Sequence, residues 1–352
     1  MTPPRRASLA RRFGESKVLF PIIALGLILI FDLFAVPGFF ALDTVDGHLF
    51  GNLVDIPRNA STIMLLAMGM TLVIATGGVD LSVGATMAIS ASIAAIMIQP
   101  DLQTLSHDPN FTQVPLPVVV LVTLFVAILC GLWNGVLVAY AGIQPMVATL
   151  ILMIAGRGIA QLITSGIRVQ IFYEPYAVFG NGWFVLPVSL FIVAIVFVIT
   201  WLSTRRTALG TFTEAVGINS RSSFYAGIDE KRVKLIAYTF CGLCAGIAGI
   251  VASSTIRTSD ANNIGRDFEL DAILAVVIGG TALGAGGRFS LFASIIGALV
   301  IQAITTSMYA VGVPASGLLA IKGFVVILVI LLFSVQVRDW VRGLTLRRSA
   351  AT

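Results

Sequence analysis

Residues 109–156 read PNFTQVPLPVVVLVTLFVAILCGLWNGVLVAYAGIQPMVATLILMIAG, without a single Asp, Glu, Lys or Arg. A bilayer core about 30 Å thick takes ~20 mostly apolar helical residues per crossing, so this stretch holds two crossings. Gly142 and Pro145 mark the turn between them. Runs this long and continuously apolar form helices rather than barrel strands, because every backbone group must be satisfied within the segment.

Working outward, residues 59–79, 81–100, 175–204, 235–256 and 289–321 are also free of charge. Apolar residues make up 57% of the chain and charged ones 11%, against roughly 25% charged in soluble domains. The 352 residues therefore read as an all-α, polytopic integral membrane protein. Its longest aqueous segment, 203–234, is too short for a catalytic module.

Window length and breakers predict about ten spans. They lie near 18–36, 59–76, 80–98, 115–140, 145–165, 184–202, 234–254, 269–286, 289–311 and 316–336. Gly77–Gly78, Gly286–Gly287 and Gly312–Pro314 separate neighbours as Gly142–Pro145 does. With both termini cytoplasmic, sixteen of the 22 basic residues fall inside. Arg58, Arg168, Arg257 and Arg266 fall outside, and Arg157 and Lys322 lie within spans. That is the positive-inside pattern. It divides the chain into a basic N-terminus (1–17), a membrane-spanning body (18–336) and a basic tail (337–352). The apolar stretch 18–31 follows basic residues as a signal peptide would, but Phe34-Ala35-Val36-Pro37 offers no convincing cleavage site, so it is read as a retained span.

The four lysines, Lys17, Lys231, Lys234 and Lys322, never follow a glycine, so the chain lacks a phosphate-binding P-loop. ATP-driven work would need another polypeptide. Cys130, Cys241 and Cys244 all fall in spans, and His48 and His107 lie in outer loops. The Cys241–Cys244 pair sits among Gly242, Ala245, Gly246 and Gly249, a run of small residues that suits helix packing better than zinc or redox chemistry. No metal site and no cofactor are expected in this chain, and no span offers a nucleophile with a base.

Three segments could carry function. In Thr76-Gly77-Gly78-Val79-Asp80-Leu81-Ser82-Val83-Gly84, Asp80 either caps the next helix or faces a polar pathway as part of an inner gate. Asn134 and Gln144 bring amides to spans as interhelical glue or cavity lining. Arg157 either pairs with an acid, with Glu269 or Asp271 as the partner, or snorkels. In 203–234, Ala215, Ile218, Phe224, Tyr225 and Ile228 form a partly amphipathic pattern. That pattern suits a membrane-surface linker or a helix offered to a cytoplasmic partner.

Residues 70–85 (MTLVIATGGVDLSVGA), 143–164 (IQPMVATLILMIAGRGIAQLIT), 207–219 (TALGTFTEAVGIN) and 269–281 (ELDAILAVVIGGT) resemble the permease subunits of ribose-type ABC sugar importers. With 46–51 (DGHLFG) and 260–265 (DANNIG), the chain is most similar to the galactofuranose permeases of that family. Residues 281–287 (TALGAGG) depart from the usual pattern by one extra residue.

The resemblance implies a bacterial inner-membrane permease that works as a dimer with a second like or related permease chain. A periplasmic sugar-binding protein docks outside, and a cytoplasmic ATPase using ATP and magnesium docks inside. It implies no nucleic-acid partner and no chemistry by this chain itself. It matches the family's coupling helix to Glu214–Ile228, so Glu214, Gly217, Ile218, Asn219, Phe224 and Gly227 are expected to meet the ATPase. Pathway or gate candidates are Asp80, Asn134, Gln144, Thr149, Arg157, Ser165, Asp271 and Gln302. The rival reading is a proton-coupled sugar transporter with Asp80, Arg157 and Asp271 as a relay.

Overall fold

The computed structural model describes residues 18–45, 48–99, 112–283, 286–314, 317–324 and 327. The expected termini 1–17 and 337–352, the outer acids Asp46, Asp101 and Asp108, and most of the span expected at 316–336 lie outside the described residues.

The chain is built from helices: α1 (Leu19–Ala35), α2 (Asn52–Ala75), α3 (Val83–Ile98), α4 (Leu116–Ala139), α5 (Pro145–Ile163), α6 (Glu174–Asn181), α7 (Val188–Arg206), α8 (Leu209–Ile218), α9 (Ser220–Tyr225), α10 (Glu230–Ile256), α11 (Phe268–Ile278) and α12 (Leu291–Ala310). Six of them, α2, α4, α5, α7, α10 and α12, are long and apolar enough to cross a membrane. The apolar α1 and α3 are shorter. Against expectation, α2 starts at Asn52 rather than near 59, with Pro57 in its second turn. The span expected at 269–286 is an 11-residue helix, α11, about 16 Å long at 1.5 Å per residue and too short to cross alone. Gly279 and Gly280 stop it, the latter at φ +78°.

Two small antiparallel ladders interrupt the helical plan. β1 (Asp43–Val45) pairs with β2 (His48–Phe50), with Asp43 opposite Phe50. β3 (Val169–Gln170) pairs with β4 (Thr258–Ser259), with Val169 opposite Ser259. Both lie beyond the same ends of their helices, the hairpin end of the bundle. The opposite, basic end carries Arg205, Arg206, Arg221, Lys231, Arg232, Lys234 and Arg288.

The core is α2, α3 and α10, with α4 against α10 and α12 against α2. Small residues set these distances, since glycine lets backbones meet and gain packing without a hydrophobic drive between helices. A Cβ on Gly131 of α4 would lie 3.0 Å from the Cα of Gly242 on α10, and one on Gly249 would lie 2.6 Å from the carbonyl of Met87 on α3. Cys241 packs against Gly69 of α2, so the small-residue reading of the Cys241–Cys244 run holds. The outer helices turn bulky apolar groups outward: Phe125, Ile154 and Ile195 are 59%, 68% and 60% exposed, as a lipid-facing surface requires. Asp32, buried on α1, accepts a hydrogen bond from Ser307 of α12 at 2.8 Å, a pairing that ties α1 to the core.

Candidate functional site

The connection between α2 and α3 is tied to three neighbouring helices by side-chain hydrogen bonds. Gly77, at φ +87°, turns the chain after α2. Asp80 is 1% exposed and accepts from the Ser82 backbone N–H at 2.9 Å, the Ser82 hydroxyl at 2.7 Å and the Asn134 amide at 3.3 Å. The Asn134 Nδ2 also donates to Ser82 Oγ at 2.7 Å. Leu81 N–H donates to Thr149 Oγ1 at 3.1 Å, and the Tyr238 hydroxyl donates to the Val79 carbonyl at 3.3 Å. Strip 76–84 is thereby bound to α4, α5 and α10 at once.

Asp80 closes a turn two residues ahead, an Asx turn. The residue at the N-cap of α3 is Ser82, which makes no side-chain cap bond. Three sequence candidates, Asp80, Asn134 and Thr149, meet here. Ser82 and Tyr238 were not anticipated. Serine two residues after aspartate is a recognisable turn signal, whereas nothing in the apolar run around Tyr238 distinguishes it.

Among the described residues Arg157 forms no ion pair with an acid. Its guanidinium donates to the backbone carbonyls of Ala261, at 3.2 Å, and Ile264. Asp271 instead binds Lys322 at 2.8 Å, and Glu269 is buried with an Oε2 that has no partner among the described residues. Both Arg157 bonds leave the same terminal nitrogen, Nη1, whose two N–H groups can each reach one carbonyl. The loop 260–267 is pinned to α5, reinforced by Gln161 Nε2 donating to Asn262 Oδ1 at 2.6 Å. Hydrogen bonds to a charged group are worth about 1.5–3 kcal/mol, so Arg157→Gln should speed amide exchange across 260–265 at least ~10-fold. Unchanged exchange would show that the loop is held by other contacts.

The pinned loop reaches strip 76–84. A Cβ on Gly84 would overlap the Gly265 carbonyl, and one on Gly265 would overlap Gly84. On one side of this seam, toward the hairpin end, lies a cavity of about 520 Å³ bordered by Asn59, Asp260, Gly265, Phe268 and Gln302. On the other side, toward the basic end, lies one of about 490 Å³ bordered by Gly77, Gly78, Gln144, Lys231 and Tyr238. Gln302 and Gln144 thus border different cavities, and Ser165 stands apart from both, with φ +53° after α5. The two cavities lie on either side of a seam where backbone packs on backbone.

At the basic end, the expected coupling helix is two helices. Asn219 is extended (φ −158°) and accepts the Ser222 N–H at 2.9 Å, ending α8 and capping α9. Gly217 faces inward: a Cβ there would overlap the Ala75 carbonyl and the Gly287 amide. This corrects the expectation that Gly217 meets a partner. Gly286 (φ +57°) and Gly287 (φ +89°) form the turn that presses on it, and Gly287 N–H donates to the Ala75 carbonyl at 2.8 Å. Ile218, Phe224 and Tyr225 face out, at 68%, 66% and 76% exposure. Glu214 borders a small cleft with Arg205 and Phe289, and Gly227 turns the chain at φ +82° in open space.

Residues 52–334 match the family model described as branched-chain amino acid transport system / permease component. The chain is 44% identical over 345 residues to the galactofuranose transporter permease protein of Escherichia coli strain K12, covering 98% of this chain and 97% of that one. It is 36% identical over 329 residues to the fructose import permease protein of Bifidobacterium longum strain NCC 2705, covering 92% and 89%. It is 33% identical over 302 residues to the ribose import permease protein of E. coli K12, covering 84% and 87%. No solved structure matches the chain. Six helices fit to cross a membrane among the described residues agree with these likenesses: the chain belongs to the branched-chain amino acid transport system / permease component family.

Proposed function

We propose that the chain is the membrane-spanning permease subunit of an ATP-binding cassette importer, moving a monosaccharide, galactofuranose or a related sugar, by alternating access. The observation that carries this reading is 44% identity, end to end, to a galactofuranose permease. The fructose and ribose permeases that follow favour sugar over the amino acid in the family's description. The partners are a cytoplasmic ATPase that uses ATP and magnesium, a periplasmic sugar-binding protein and a second permease chain. The setting is the bacterial inner membrane, with about ten spans from 18 to 336. Both termini, 1–17 and 337–352, and the segment 203–234 are cytoplasmic, an orientation supported by the basic residues at one end of the bundle. Ile218, Phe224 and Tyr225 supply the ATPase contact, because they are apolar, exposed and at that end.

Among the described residues, the three members of the proton-coupled alternative each bond to other partners rather than to one another. Asp80 is spent on Ser82 and Asn134, Asp271 on Lys322, and Arg157 on backbone carbonyls.

The orientation is tested by Arg221→Cys in a background lacking the three native cysteines. A membrane-impermeant thiol reagent added to intact cells should leave this position unlabelled until the membrane is opened. Labelling from the periplasmic side would reverse the topology and remove the coupling role from α8 and α9.

A further inference from the structure

The cavity toward the hairpin end has a chemistry of its own. Its volume of about 520 Å³ lies within the roughly 300–1,000 Å³ usual for small-molecule sites. Asn59 of α2 is exposed on its wall. Among the described residues Gln302 of α12 bonds to Thr306 Oγ1 alone, at 3.4 Å, through its Nε2. Asp260 accepts from Asn263 Nδ2 at 2.7 Å and from the Asn262 backbone at 3.0 Å, and each carboxylate oxygen keeps a lone pair for a further donor. The Asn263 bond, with Arg168 nearby, holds the Asp260 carboxyl below its ordinary range, so it stays an acceptor at neutral pH.

Arg168 also borders the cavity and lies near enough to Asp260 to favour its charged form. Arg58 donates to Asn181 at 2.5 Å and lies 6.0 Å from the Trp183 ring centre. What a ligand meets is a set of amides, one carboxylate and the Arg168 guanidinium, with Phe268 and Ile264 as apolar surface. A neutral polyhydroxylated ring matches that set: its hydroxyls both donate and accept, and its C–H face packs on an aromatic ring. The cavity ends at Gly265, which abuts Gly84 and the strip that holds Asp80. A ligand seated there would wait at the partition itself.

We infer that this cavity is a sugar-binding site of the permease itself, with Asn59, Asp260, Asn263 and Gln302 hydrogen-bonding ring hydroxyls and Phe268 packing against the ring. The inference rests on the monosaccharide cargo proposed above, and its test separates the two.

Asn59→Cys, and as a control in the other cavity Gln144→Cys, are placed in a background with Cys130, Cys241 and Cys244 replaced by alanine. The assembled transporter is treated with a small thiol reagent in the presence of D-galactose, D-fructose or D-ribose. One of these sugars should slow modification at position 59 and leave position 144 unaffected. At ten times the half-protecting concentration the slowing should be about tenfold. Adding Gln302→Ala should raise that concentration about tenfold, one hydrogen bond's worth. If the unmutated complex transports one of the three sugars and none protects position 59, the site assignment fails alone. If it transports none and none protects, both readings fail. Equal slowing at positions 59 and 144 would also overturn the site, since it would reflect a global change.

Discussion

Asp80→Ala should be the most damaging single side-chain truncation in the strip between α2 and α3. Removing the carboxylate leaves the Ser82 N–H and one Asn134 amide hydrogen without their acceptor in a buried setting. A buried group left unsatisfied costs about 1–3 kcal/mol, so two such groups together should lower stability by roughly 3 kcal/mol or more. Asp80→Asn keeps one carbonyl oxygen in place and should recover about half of that loss. Thermal unfolding in detergent reads the difference. If alanine and asparagine variants melt with the unmutated protein, the network does not hold the strip.

Gly217→Leu should be nearly as severe, for a different reason. The new side chain would meet backbone, the Ala75 carbonyl and the Gly287 amide, which cannot swing aside as the tip of a side chain can. Overpacking typically costs about 1–3 kcal/mol, and here it also breaks the hydrogen bond from Gly287 to Ala75. The expected result is a less stable permease whose α8 is displaced from α2. Phe224→Ala makes the contrast. Phe224 is 66% exposed, so the variant should fold normally yet lose ATPase capture, about 30-fold if it is an anchor worth ~2 kcal/mol. A Gly217→Leu protein as stable as the original would place α8 differently from what is seen here.

The membrane character of the chain was legible in 109–156 and its companions, because charge exclusion over ~20 residues has few other causes. The turn glycines were equally legible: Gly77, Gly142 and Gly312 all take positive φ. Span counting misjudged α11, since 272–286 carries no charge while Gly279 and Gly280 end its helix early. Hydropathy measures burial and does not see a broken helix. The cluster of Asp80, Asn134 and Thr149 joins residues far apart in sequence, so each was visible as a polar residue in an apolar run, but their meeting was not. Arg157 shows the limit most clearly. Sequence shows a buried cation and suggests an acid, yet a guanidinium is satisfied as well by two carbonyls, and carbonyls leave no mark in a sequence. Gly217 was expected to meet the ATPase, whereas the neighbours its α-carbon faces are Ala75 and Gly287 of the same chain.

The central claim, a permease driven by a partner's ATP hydrolysis, is tested most directly in proteoliposomes carrying this chain, its ATPase and its binding protein. Accumulation of labelled D-galactose, D-fructose or D-ribose should need ATP and magnesium on the ATPase side and should persist with a protonophore present. Full uptake by this chain alone, abolished by the protonophore, would contradict the account.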